Sequence, residues 1–344
     1  EETVKQIVSI SLGPSSKDYE FDSEFLGQDF NIKRFGTDGD MEKAARMLLT
    51  WDNRADVLGL GNMKFPKTIG PMHSAQRHAE KLKKLSSTIQ TPVTMGSALR
   101  DVAFEWSLRF IQFKFGNYFN NAKVLFFSGL DQHKIAQVMS EYTENLRFAD
   151  PVLENGIPRF LSSIKDLELY AGGIHEVLKW VPSKRLSSSV MPIRAWNEYI
   201  MRKAMQKADI IAVPYYDFFG YLEKATLEEL GGKTIITSTA HDDRIDFLKE
   251  RGVDVVIDTT PKILERVVGH NVLEAMILAA LGRNRDQVRA DDLLEIISEQ
   301  KMDPRIVYPS GDPKRVNRFA FVIHPLSQEY FKKVDSIEIL SRVS

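Results

Sequence analysis

The stretch AKVLFFSGLD, residues 122–131, decides the fold. Its first six residues form a near-continuous apolar run, which predicts a strand over Ala122–Phe127 covered on both faces. The turn Ser128-Gly129-Leu130-Asp131 closes it, and a helix is predicted at about Gln132–Tyr142. The same succession of strand, small or polar turn and helix recurs downstream. ADIIAVPYYD (208–217) leads into a helix at Phe219–Leu230, KTIITSTA (233–240) into Asp242–Arg251, and VDVVIDTT (253–260) precedes Asn271–Leu281 and Asp291–Glu299. With a short strand at Asn145–Ala149, five strands alternate with helices. That pattern implies a doubly wound parallel sheet of Rossmann or flavodoxin type with right-handed crossovers.

Upstream of this stretch the elements are mixed. Val4–Ser11 reads as a buried strand. Tyr19–Phe25 and Phe30–Phe35 flank Gly27-Gln28-Asp29 as a hairpin. Asp38-Gly39-Asp40 offers a cap for a helix at Met41–Trp51. Strand Ala55–Gly61, a basic amphipathic helix His73–Leu85 and strand Thr91–Met95 follow, and Gly96-Ser97 opens a long helix to about Phe115. The fold class is therefore α/β in two units: a small N-terminal α/β layer with a hairpin, 1–116, and the Rossmann/flavodoxin-like unit, 117–307. A helical insertion, 151–189, interrupts the second unit far beyond the roughly 2–6 residues of an ordinary connection. It reads as a cap on the core, a lid, a homodimer interface or a membrane-surface helix, with Lys179, Lys184 and Arg185 around Trp180 and Pro182. Residues 308–344 read as a linker and the start of a further strand.

The composition agrees with two domains and a remainder: 344 residues, 43% hydrophobic, 27% charged. These values exclude wholesale disorder. Lys+Arg (46) minus Asp+Glu (47) gives −1, so no net positive charge advertises nucleic acid. The basic face Arg77–Lys84 reads as a solvated helix face. Cysteine is absent, which excludes disulfide scaffolds, thiolate catalysis, Fe–S clusters and cysteine zinc sites. No run reaches the roughly 18 apolar residues that span a bilayer, and the N-terminus lacks a signal-peptide layout. A cytoplasmic protein is the expectation.

Ligands of open α/β sheets bind beyond the carboxyl ends of the strands. Small and hydroxylated residues cluster there, offering hydrogen bonds and close backbone approach. In the first unit Ser11, Gly13, Gly61, Asn62 and Ser97 are candidate substrate contacts. Arg100, just inside the long helix, is a candidate partner for a carboxylate or phosphate, and Asn271 joins them from the helix after Gly269. In the second unit Ser128, Gly129, Ser238, Thr239, Thr259 and Thr260 are candidate cofactor contacts. His270 at a helix mouth, Asp217 and Asp131 are candidate proton-relay or anchoring groups. Helix capping is the competing reading at every one of these positions. The G-x-G-x-x-G fingerprint of a dinucleotide site is reduced to Gly129, with Gln132, His133 and Lys134 where close packing would be needed. No Walker A sequence occurs. His241, Asp242 and His270 lack the H-x-x-x-H spacing of a zinc site, so no metal is expected.

VSISLGPSSKDYEFDSEFLGQDFNIKRFGTDGD (Val8–Asp40), GLGN (Gly59–Asn62), the Ser128–Asp131 turn and GHNVLEAMILAALG (Gly269–Gly282) together resemble a bacterial family labelled quinate 5-dehydrogenase-like. The resemblance implies an NAD- or NADP-linked oxidoreductase acting on a cyclic hydroxy acid. RFAFVIHPLSQEYF (Arg318–Phe331) resembles the opening strand of a shikimate-dehydrogenase-like protein, which implies a fused dehydrogenase domain. Two functional expectations follow. One is an oxidoreductase, or a subunit of one, acting on a small hydroxylated acid. The other is a non-catalytic ligand-binding or assembly module that serves a fused or separate dehydrogenase partner. A peripheral membrane role through 151–189 is a third.

Overall fold

The computed structural model describes residues 3–62, 81–178 and 191–311, with side chains omitted at 174–178 and 191. Most of the predicted basic helix, the segment with Trp180 and its cations, the serine triplet Ser187–Ser189 and the tail strand Phe319–His324 lie outside these residues.

Two sheets form. The first contains β1 (Lys5–Ser11), β2 (Tyr19–Phe25), β3 (Gln28–Gly36), β4 (Val57–Gly61) and β5 (Val93–Thr94), in the order β2-β3-β1-β4-β5. All its pairings are parallel except the β2–β3 hairpin. The second contains β6 (Val124–Phe126), β7 (Leu146–Phe148), β8 (Ile210–Ala212), β9 (Thr234–Thr237), β10 (Val255–Asp258) and β11 (Arg305–Val307), in the order β11-β10-β9-β8-β6-β7. Its first five strands are mutually parallel and run in the flavodoxin-like sequence. The α/β expectation of two units, one carrying a hairpin, holds. The antiparallel edge strand β11 was not anticipated: its three residues sit where the chain reads as approaching a linker.

Strand alternation builds the cores. In β6, Val124 and Phe126 face one layer of helices, while Leu125 faces the other together with Phe127 just beyond the strand. In β4, Leu58 and Leu60 pack with Val8, Ile10, Ala44 and Leu48, whereas Val57 turns to the opposite face. Gly59 and Gly61 share that opposite face, and the helix His270–Leu281 packs there. Their missing side chains set its distance: a Cβ on either glycine would sit 3.1–3.2 Å from the Asn271 amide nitrogen.

That packing divides the chain differently from the sequence reading. The helices predicted at Asn271–Leu281 and Asp291–Glu299 read as part of the second unit; they form at His270–Leu281 and Ala290–Glu299. They complete the core of the first, where Leu273, Ile277, Leu293 and Ile297 bury against Ile7, Phe30, Ile32 and Val57. The buried Glu274 carboxylate anchors the junction. It accepts from Thr94 Oγ1 (2.6 Å) and the Leu99 amide (2.7 Å) and pairs with Arg285 Nε (3.0 Å). The long helix Ser97–Lys114 bridges the units: Leu99 and Ala103 belong to the first core, Phe104, Leu108 and Ile111 to the second. The chain thus passes between units at this helix, after β10 and before β11. Within the expected insertion, Leu161 and Leu167 are buried in the second core, and the helix Ile164–Leu178 covers that edge of the sheet. Among the described residues no helix is long and apolar enough to cross a membrane.

Candidate functional site

A doubly wound sheet opens a crevice where the strand order reverses. In the first sheet the reversal falls between β1 and β4, in the second between β6 and β8. A cleft of about 180 Å³ is lined from both. Ser9, Ser11, Gly61 and Asn62 come from the first reversal; Asp131, Gln132, Pro214, Tyr215 and Tyr216 come from the second. The crossing segment Val267–Val272 closes one wall. This volume lies below the roughly 300–1,000 Å³ of sites for drug-sized ligands, so the occupant is small. An ion pair between Lys17 and Asp243 (3.1 Å) joins the two units.

Several sequence candidates meet in this cleft. Ser11, Gly61, Asn62, Arg100, Asp131, Ser238, Thr239, His270 and Asn271 all line it. Asn271 faces β1, its amide donating to Ser9 Oγ at 2.9 Å. The helix N-cap is Gly269, in extended conformation. Ser97 opens its helix beside the cleft, but the lining residue is Gly96. Gly96 adopts φ +75°, and a Cβ there would lie 2.3 Å from the Asn271 backbone nitrogen. Gly13 lies behind the lining, against Arg34 and Asn62.

Other candidates have structural duties. Asp217 is the left-handed N-cap of the short helix Phe218–Leu222, and the cleft is lined instead by Pro214, Tyr215 and Tyr216 just before it. Gly129 is small because Phe148 and Leu167 crowd it: a Cβ would meet them at 2.4 and 2.8 Å. Ser128 is buried, its hydroxyl accepting from the Asp131 amide. The amides of Gly129 and Leu130, which a phosphate would need, already donate to Asp150 at 2.9 and 3.1 Å. The turn after β9 repeats this arrangement. Asp258, fully buried and paired with Arg305, accepts from the amides of Ala240 and Thr260, while Thr260 Oγ1 accepts from the Thr239 amide. Thr259 donates its hydroxyl to Thr237 and stays buried. Internal carboxylates thus occupy the anion-binding positions of both turns.

The polar chemistry facing the cleft is uneven. Asp131 Oδ2, Gln132 Oε1 and His270 Nε2 are buried and have no hydrogen-bond partner. Gln132 is 3% exposed and His270 8%. Buried polar atoms are nearly always satisfied, so three unmet acceptors on one small cleft mark it as a place for donors. His270 is an acceptor because it is neutral. Burial first, then the Arg100 charge, lowers its pKa to about 3, although the ring N–H bonded to the Thr259 carbonyl opposes this. His241, also on the wall, is lowered to about 4 by burial, Lys17 and Arg244. Arg244 is itself buried against Tyr215 (4.3 Å to the ring) and donates to the Tyr215 carbonyl, which fixes that ring at the cleft.

Tyr19, Arg34 and Phe104 line the site without having been candidates. Tyr19 and Arg34 are directly paired across the hairpin. Tyr19 opens β2 and Arg34 lies two residues before the end of β3, and only the register of the tertiary fold reveals that these side chains reach the cleft. Among the described residues no group of three or more His, Asp or Glu is arranged to hold a metal ion.

Residues 98–309 match the family described as Domain of unknown function (DUF8754), and residues 6–95 match Domain of unknown function (DUF8753). No curated protein matches the chain. Among solved structures, one from Mycobacterium smegmatis in complex with β-D-fucofuranose superposes with a TM-score of 0.35 at 10% identity, covering 96% of this chain and 97% of that one. An ABC transporter periplasmic solute binding protein from Actinobacillus succinogenes with bound D-allose gives 0.33 at 12% identity, covering 91% and 99%. The arabinose transporter's periplasmic binding component from Shewanella gives 0.31 at 8% identity, covering 86% and 96%. These superpositions are loose.

Proposed function

We propose that this chain, which belongs to the DUF8754 family, is a binding module for a small polyhydroxylated ligand held between its two α/β units. One observation carries this reading: the strand-order reversals of both sheets share one small cleft, lined by three buried acceptors without partners. Hydroxyl groups are the donors that fit. They satisfy Asp131, Gln132 and the neutral His270 at once, and Tyr215 and Tyr216 give the apolar face of a ring something to rest on. An NAD(P)-linked oxidation of such a ligand would need anchoring for a pyrophosphate. The turn amides that would supply it are bonded to Asp150 and Asp258, which favours binding without hydride transfer.

The test is a thermal-shift screen of the full chain against monosaccharides, cyclitols, sugar acids and the four nicotinamide dinucleotides. A ligand of the native state must raise its stability. Stabilisation by a polyol or sugar acid, lost in the D131N/Q132A double variant, is expected. If millimolar polyols and acids all leave the melting temperature unmoved, the proposal is wrong. Stabilisation by a nicotinamide dinucleotide alone would restore the dehydrogenase reading.

A further inference from the structure

We infer that the ligand carries a compact negative group, seated against Arg34 and Arg100 on the first-unit wall, with its hydroxyl end toward Asp131 and Gln132. This rests on the binding-module reading and gives it an orientation. Arg34 is built into its place. Its Nη1 donates to Asp18 Oδ1 (3.0 Å) and the Pro14 carbonyl (3.1 Å), which fixes the guanidinium plane. Nη2 donates to Ser11 Oγ at 3.2 Å. Around Gly13, Arg34 Nη2 and Asn62 Nδ2 converge: a single point at the position of a Gly13 Cβ lies 3.0 and 3.3 Å from them. Arg34 and Asn62, from two different strand ends, both line the cleft, and their side chains meet behind it at Gly13.

Arg100 adds a second guanidinium from the first turn of Ser97–Lys114. That helix of 18 residues has a glycine N-cap without a side-chain cap bond and no acidic residue in its first turn. The Glu274 carboxylate meets that helix end by accepting from the Leu99 amide, so the Arg100 side chain, and not the helix terminus, is the cation here. Across the lining, the charged side chains are Arg34, paired with Asp18, and Arg100, 3.5 Å from Asp101, against Asp131, with His241 and His270 neutral. The cations act on the cleft as a whole. Burial is the main cause of both low histidine pKa values; Arg100 adds to it at His270, and Lys17, Arg244 and Arg34 add to it at His241, with Asp243 opposing them there. A neutral polyol brings no charge to this field. A carboxylate or phosphate does, and guanidinium groups bind both through paired N–H donors. The unmet acceptors of Asp131 and Gln132 lie on the second-unit wall, so one molecule with an anion at one end and hydroxyls at the other meets both walls.

Isothermal titration of the full chain with matched probes tests this: D-glucose, D-glucuronate and D-glucose 6-phosphate, then a cyclitol and its carboxylate. The acid is expected to bind at least tenfold more tightly than its neutral counterpart. R100Q, whose side chain is partly exposed and leaves the cores untouched, is expected to remove most of that preference, and R34K to weaken it. A sugar phosphate exceeding the sugar acid supports the anion seat and identifies phosphate as its group. Neutral sugars binding as tightly as the charged probes would overturn the inference while leaving the binding module standing. So would an acid preference that both arginine variants retain. Failure of every probe, neutral and charged, counts against the binding module itself.

Discussion

Asp150→Asn removes the carboxylate that holds the turn behind Asp131 and Gln132. Asp150 is fully buried just after β7, and it accepts from the amides of Gly129 and Leu130. Those two bonds favour the charged form. Burial opposes them and wins, with the nearby Asp131 adding to it, so the pKa rises from the ordinary 3.8 to about 6. A raised acid pKa means that the folded state holds its proton more tightly than the unfolded chain. The stabilisation is therefore complete below pH 3.8 and is lost as pH rises through 6. Over the full window the shift of about two units corresponds to roughly 3 kcal/mol, of which roughly 2 falls between pH 4 and 7.5.

Asparagine does not titrate. At pH 4 the variant is expected to be the less stable protein by roughly 1 kcal/mol, because its NH2 faces an amide that needs an acceptor. At pH 7.5 it no longer carries the buried charge, and the difference is expected to move in its favour by roughly 2 kcal/mol. Urea unfolding of both proteins at the two pH values gives this double difference, in which the other titrating groups cancel. A double difference below about 0.5 kcal/mol would refute the assignment of Asp150 as a buried, ionising clamp on the turn.

Three more expectations follow from single residues. G96A places a Cβ 2.3 Å from the Asn271 nitrogen at φ +75° and is expected to lose more than about 3 kcal/mol in urea unfolding, whereas G282A, at φ +60° with open space around it, is expected to lose about 1; equal losses would mean the Gly96–Asn271 approach is unimportant. E274A strands Thr94 Oγ1, the Leu99 amide and Arg285, and is expected to destabilise by about 3–5 kcal/mol, with a loss under about 1 contradicting its place as the junction anchor. H270Q removes a histidine that the unfolded chain protonates below 6.5 and the folded chain only near 3. Wild-type stability should thus fall by roughly 2 kcal/mol more than that of H270Q between pH 7.5 and 5, and parallel pH profiles would contradict a buried neutral imidazole.

The strands were legible because burial on two faces leaves an unmistakable apolar run: VLF, IIA, TIIT and VVID all became strand. So was the alternation of VLGLG, but not its purpose. Gly61 reads as a ligand contact, and what approaches both it and Gly59 is Asn271 on a helix more than two hundred residues later. Local patterning specifies an element and its faces; it does not specify which distant helix comes to cover a face. That is why the contiguous second unit of the sequence reading gave way to a first unit completed by His270–Leu281 and Ala290–Glu299.

The site divides along the same physical line. Strand-end positions were found by a topological rule, and nine of the candidates reached the cleft. Gly13, Ser97 and Asp217 fall just outside it, and Ser128, Gly129, Thr259 and Thr260 read as cofactor contacts because small turn residues with open amides invite phosphate. In this chain two aspartates, Asp150 and Asp258, accept those amides from within the fold. Sequence shows the amides and the carboxylates separately, and only the closed structure shows that they have met. The same closure leaves Asp131, Gln132 and His270 unmet, so the groups that the fold does not satisfy internally are the ones that define what it can hold.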